Sequence, residues 1–187
     1  MTSSAGQFGA DGWLSGAKRA PSPNADVRPS GVVVDLIVVH AISLPPARYG
    51  TGDPERLFTN TLDFDAHPFF DGLRDLHVSA HFLIARDGVM TQFVSTERRA
   101  WHAGVSAFAG RTRCNDFSVG IELEGCDADI FTAAQYARLG SLIGAIQVRY
   151  PSVTPARVVG HSDIAPGRKT DPGPYFDWGR LRALLGV

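Results

Sequence analysis

The chain has 187 residues, 44% of them hydrophobic and 20% charged, which is enough for a full core in one domain and is not the composition of a disordered segment. A formal net charge of -1 supplies no field to hold nucleic acid or anionic lipid, so neither a nucleic-acid nor a membrane partner is expected. The two cysteines, Cys114 and Cys126, form no CxxC pair, give no support to thiolate zinc or redox chemistry, and fit a reducing compartment better than a disulfide scaffold.

Met1 to Ala20 has no apolar run behind a basic start and does not read as a secretory signal. Leu14 to Gly31 is rich in Pro, Ser, Gly and Ala without helical or strand period, so residues 1–31 read as an extended arm and 32–187 as the folded domain. Val32 to Val39 is β-branched and apolar on both faces, the pattern of a strand inside a sheet, and it ends at His40. The longest apolar stretch, Gly31 to Ile42, is broken by Asp35 and His40 and falls short of the roughly 20 residues of a membrane span. Pro54 to Phe58 and Pro68 to Leu76 each begin with a proline suited to a first helical turn.

Ala80 to Ala85 and Val89 to Val94 are predicted to pair antiparallel through Arg86-Asp87-Gly88, because Asp-Gly is a strong hairpin signal. Phe117 to Leu123 reads as a strand with Val119, Ile121 and Leu123 on one face and Gly120, Glu122 and Glu124 on the other. Thr132 and Gln135 make a capping box, after which Tyr136, Leu139, Ile143, Ile146 and Tyr150 share one helical face until Pro151. A shorter helix follows from Asp177 or Trp178 to Leu185. These elements predict a mixed α/β single domain with a central, mainly antiparallel sheet flanked by helices.

Histidines stand at 40, 67, 77, 81, 102 and 161. His40 lies at the end of a buried strand, where sites commonly form, and His161 opens a segment through Pro174 that is dense in turn formers, His, Asp, Arg and Lys. Two imidazoles and one carboxylate would leave a tetrahedral zinc with an open fourth position, as hydrolysis requires.

Several motifs now combine: Gly12-Trp13-Leu14, Ala66-His67-Pro68-Phe69-Phe70, Val78-Ser79-Ala80-His81, Trp101-His102-Ala103-Gly104, Arg113-Cys114-Asn115-Asp116, Gly120-Ile121-Glu122-Leu123-Glu124 and the His161 to Pro174 segment. Together they resemble the AmpD-type N-acetylmuramoyl-L-alanine amidases, whose fold is shared with peptidoglycan recognition proteins. The resemblance implies zinc held by His40, His161 and Asp171, a proton acceptor in Glu122 and an oxyanion-stabilising cation in Lys169. Glu122 is preferred over Glu124 by resemblance alone, since both leave the same strand face. Trp101 is expected beside the sugar, and Arg113 and His77 beside substrate carboxylates.

Two departures concern substrate preference: Ala41 stands where the family often has Asn, and His77 where it often has Arg. His67 and His81 are read as structural. The implied activity is hydrolysis of the amide between the lactyl group of 1,6-anhydro-N-acetylmuramic acid and L-alanine in muropeptides, by a cytoplasmic monomer. Amidase action on extracytoplasmic peptidoglycan and a non-catalytic peptidoglycan-binding module are the alternatives, and the latter typically lacks a zinc ligand.

Overall fold

In chain order the elements are β1 (Lys18–Arg19), β2 (Ala25–Val27), β3 (Leu36–Ile42), α1 (Asp53–Phe58), β4 (Phe82–Ile84), β5 (Met90–Gln92) and β6 (Arg98–Ala100). They continue with β7 (Ala107–Phe108), β8 (Arg111–Thr112), β9 (Ser118–Glu124), α2 (Ala133–Arg149), β10 (Val158–Gly160), α3 (His161–Ile164) and α4 (Trp178–Leu185). This is a computed structural model, and it describes residues 6–187.

Six strands form the central sheet in the order β1-β5-β4-β9-β3-β10. The mixed α/β class and the flanking helices agree with the sequence, but the expected mainly antiparallel pairing does not. Among the described residues of this sheet only β4 with β5 is antiparallel, and every other neighbouring pair is parallel. The reason lies in the connections. Within this sheet only Arg86-Asp87-Gly88 joins neighbouring strands by a tight turn, with Gly88 at φ 85 and its N–H donated to the Ala85 carbonyl. The chain otherwise returns through long segments, Ser43 to His81 and the α2 region, and a parallel pair needs such a crossover.

Alternation on β3 sends Ile37 and Val39 to one face and Leu36, Val38 and His40 to the other. The first face packs with Val119, Ile121 and Leu123 of β9 beneath Tyr136, Leu139, Ile143 and Ile146 of α2. Each of those side chains contributes about 1.5–3 kcal/mol on full burial. The helix begins as expected: the Thr132 side chain accepts from Gln135 N, and Gln135 Oε1 accepts from Thr132 N. On the other face Leu36 and Val38 meet Ala103, Cys114, Phe117 and Ile164. Glu122 and Glu124 are buried on this side of β9 as well, so the face that alternation marks as polar is not a solvent face.

The arm is extended, yet it is built into the domain. β1 adds an edge strand beside β5, β2 pairs with β6, and Leu14 is buried in the main core with its N–H donated to Gln92 Oε1 at 2.7 Å. Arg28 donates to the carbonyls of Asn115, Asp116 and Ser118. Leu14 to Gly31, which has no strand period, thus holds two strands, and at two and three residues they are too short to show one. The strand expected over Val32 to Val39 is shifted to Leu36–Ile42, which places His40 within it. Pro68–Leu73 forms a 3-10 turn shorter than the expected run to Leu76.

Candidate functional site

Parallel pairing brings the site together. β3 and β9 register His40 against Glu122, so the two side chains leave the same face of adjacent strands. β10 registers Gly160 against Val39, so His161, the next residue, arrives beside His40 at the carboxyl ends of the strands. Ligands of open parallel sheets bind at this end. Asp171 returns to the same point, its carbonyl accepting the Ser162 N–H at 3.0 Å.

The Nδ1 atoms of His40 and His161 lie 2.9 Å apart, and Asp171 Oδ2 is 3.1 Å from each. Three lone-pair atoms from three residues thus converge on one point, all within 4.8 Å of one another. Burial pulls the His40 imidazole down to about 4 against the hydrogen bond of Asp171. Burial raises the Asp171 carboxyl, but its hydrogen bonds with His161 and His40 outweigh this and hold it below the usual carboxylate range. Two imidazoles and one carboxylate form a donor set with the nitrogen and oxygen chemistry that zinc takes. The donors fit that metal.

Glu122 is buried beside them, and its Oε2 has no hydrogen-bond partner among the described residues. Burial, then the charge of Asp171, push its carboxyl well above the ordinary range, with Lys169 opposing. Glu124 differs. Its two oxygens accept the backbone N–H groups of Gly50 and Arg86, so it ties two loops to β9. The structure thus separates two carboxylates that the sequence left on the same strand face.

A cleft of about 430 Å³ opens over this centre, lined by Glu122, Lys169, Trp101 and His77 together with the three converging residues. Lys169 sits exposed at its rim and Trp101 is half-buried. Ala41 also lines the cleft. Arg113 is not among the lining residues. It is exposed, at a left-handed turn with φ 61, and pairs with Asp116 Oδ2 at 3.3 Å.

Sequence reasoning missed three residues here. His102, given no role from the sequence, is buried against His40 and lines the cleft with Asn115 and Arg168. Arg168 donates to the carbonyls of Ala103 and Val105 at 2.6 and 2.7 Å. The Trp101 to Gly104 and Arg113 to Asp116 motifs and the His161 to Pro174 segment were the only signals for them. An apolar wall of Leu57, Phe58, Phe69 and Leu73 completes the cleft. His81 keeps the structural role expected of it. Its Nδ1 accepts the Gly120 N–H, its Nε2–H donates to the Arg98 carbonyl, and burial with the Arg28 charge pulls its pKa down to about 3. His67 is exposed, and its Nδ1 accepts the Phe69 N–H at the start of the 3-10 turn.

Residues 30–174 match the family described as N-acetylmuramoyl-L-alanine amidase. The chain is 54% identical over 175 residues to the 1,6-anhydro-N-acetylmuramyl-L-alanine amidase AmpD of Citrobacter freundii, covering 94% of this chain and 93% of that one. A crystal structure of a selenomethionine AmpD derivative superposes with a TM-score of 0.91 at 54% identity, over 94% of this chain and 97% of the other. The E. coli amidase AmiD, in complex with anhydro-N-acetylmuramic acid-L-Ala-D-gamma-Glu-L-Lys, superposes with a TM-score of 0.59 at 32% identity, over 97% of this chain and 66% of that one.

Proposed function

The chain belongs to the N-acetylmuramoyl-L-alanine amidase family, and on that premise we propose that its cleft performs the family reaction with a zinc ion held by His40, His161 and Asp171. The reaction is hydrolysis of the amide joining the lactyl group of 1,6-anhydro-N-acetylmuramic acid to L-alanine in muropeptides, a step of cell-wall recycling. The observation that carries the site assignment is the unpartnered, buried Glu122 Oε2 in the same cleft as three converging lone-pair atoms. Zinc, when bound, supplies Lewis acidity that polarises the amide carbonyl and eases the ionisation of water.

The chain's own residues do the rest. Glu122 accepts the proton of the attacking water and delivers it to the alanyl nitrogen as the C–N bond breaks. A carboxyl raised above its ordinary range suits both directions, because it holds the proton long enough to pass it on. The Lys169 ammonium faces the charge that grows on the amide oxygen. Trp101 offers a flat apolar surface to the sugar, and His77 and Arg113 are assigned to the substrate's carboxylates, Arg113 from outside the cleft lining. No helix of the described residues is long and apolar enough to cross a membrane, and we assign the reaction to the cytoplasm as part of the same proposal.

Purified protein is expected to carry about one zinc per chain, to lose activity with a strong chelator, and to regain it on adding zinc. Elemental analysis with muropeptide mass spectrometry checks this, and full activity in metal-free protein would overturn the zinc assignment. Lys169→Ala is expected to lower kcat on the order of 10²-fold with a smaller rise in KM, because its charge acts on the transition state. A change in KM alone would make Lys169 a substrate-binding residue.

A further inference from the structure

Both imidazole ligands turn their outer nitrogens toward one dipeptide, His102–Ala103. His40 Nε2 lies 2.9 Å from His102 Nδ1, and His161 Nε2 lies 3.1 Å from the Ala103 carbonyl. A carbonyl only accepts, and it lies nearer to this nitrogen than the donating Arg168 Nη2 at 3.3 Å, so it favours the His161 tautomer with the proton on Nε2 and the Nδ1 lone pair toward the metal point. The His102 ring continues outward, its Nε2 lying 3.1 Å from Ser118 Oγ. The dipeptide is itself held. Both of its backbone N–H groups donate to Asn115 Oδ1, at 3.1 and 2.8 Å, and the ring lies against β9 at Gly120, where a Cβ would run into it.

We propose that His102 is a positioning residue: it accepts the His40 Nε2 proton on its own Nδ1, donates from Nε2 to Ser118 Oγ, and so keeps His40 Nδ1 free for the metal. The role rests on the zinc assignment above. A neutral imidazole carries one donor and one acceptor, and the other His40 tautomer would donate Nδ1–H to Asp171 Oδ2 at 3.1 Å, blocking the metal-facing nitrogen. His102 opposes that tautomer by giving the Nε2–H a buried acceptor. Ala103 does the same for His161 through its backbone, so one clamped dipeptide orients both ligands. Gly120 is required at its place because only a residue without a Cβ lets the ring lie there.

Chelator competition on the full chain tests this. His102→Phe keeps a ring and removes the acceptor, and it is expected to weaken zinc binding by roughly 10–100-fold, the usual cost of losing an outer partner of a ligating histidine. His102→Asn places an oxygen near the Nδ1 position and is expected to recover most of the affinity. Long-range ¹H–¹⁵N spectra of the zinc-loaded wild-type protein, which need no variant to fold, are expected to show His102 and His40 each protonated at Nε2 only. Wild-type zinc affinity in His102→Phe, no recovery in His102→Asn, or a His102 protonated at Nδ1 would each overturn the proposal. A wild-type chain that takes up no zinc would instead overturn the metal assignment, and this role with it.

Discussion

Glu122→Ala is expected to leave zinc content and fold intact while lowering kcat by roughly 10²- to 10⁴-fold, the loss that accompanies removal of a general base. In barrier terms this is about 3–5 kcal/mol. The separation of effects follows from the geometry. Glu122 contributes no atom to the cluster of His40, His161 and Asp171, and its Oε2 bonds to nothing else among the described residues, so its loss breaks no network. Removing a buried, unpaired carboxyl even relieves a desolvation cost, so thermal stability is expected to hold or rise. Glu124→Ala is the contrasting control. Its carboxylate pins the Gly50 and Arg86 backbone N–H groups, so that change is expected to lower stability before it touches chemistry. Calorimetry, metal analysis and muropeptide turnover on both variants check the pair. A near-wild-type rate in Glu122→Ala would take the proton-transfer role away from that residue.

What could be read in the chain divides by range. The Thr132 and Gln135 capping box, the Asp87-Gly88 hairpin and the Asp177 cap of α4 are local devices, each satisfied by residues a few positions apart, and each element forms as expected. The strand partners are different. Val32 to Val39 announces a buried strand, but nothing within it says whether its neighbour runs parallel, since that depends on a crossover dozens of residues away. The strands of the arm are not legible for a related reason. β1 and β2 are stabilised by edge pairing and by Leu14 and Arg28, not by a pattern of their own.

The site divides in the same way. His40, His161 and Asp171 were named through family likeness, because 121 positions separate the two histidines and no spacing rule joins them. The parallel register supplies the physical reason they meet. It also explains the choice between Glu122 and Glu124, which alternation alone places on one face: Glu122 is opposite His40, whereas Glu124, opposite Ile42, is drawn into loop contacts. His102 and Asn115 stayed hidden because their significance lies in hydrogen bonds to other strands and loops, visible only once the sheet has closed.

Asp171→Ala is expected to weaken zinc binding and activity together, because it removes the only anionic member of the donor set. The loss should exceed the roughly 10–100-fold that removal of an outer hydrogen-bond partner costs, since a coordinating atom itself is gone. Its carboxylate does a second task that sharpens the expectation. The oxygen lies 3.1 Å from both Nδ1 atoms, set where the two ring nitrogens converge, so the variant loses a preplaced donor atom as well as charge. Asp171→Asn separates the two contributions. It keeps the shape but not the charge, and its affinity should fall between wild type and Asp171→Ala. Thermal shift gives an independent reading: zinc is expected to raise the Tm of the wild-type chain, as any ligand that binds only the folded state does, and to raise that of Asp171→Ala far less at the same free zinc. Unchanged zinc content in Asp171→Ala would move the third ligand to another residue of the cleft, and Glu122, the nearest unpartnered carboxylate, would then have to be tested in its place.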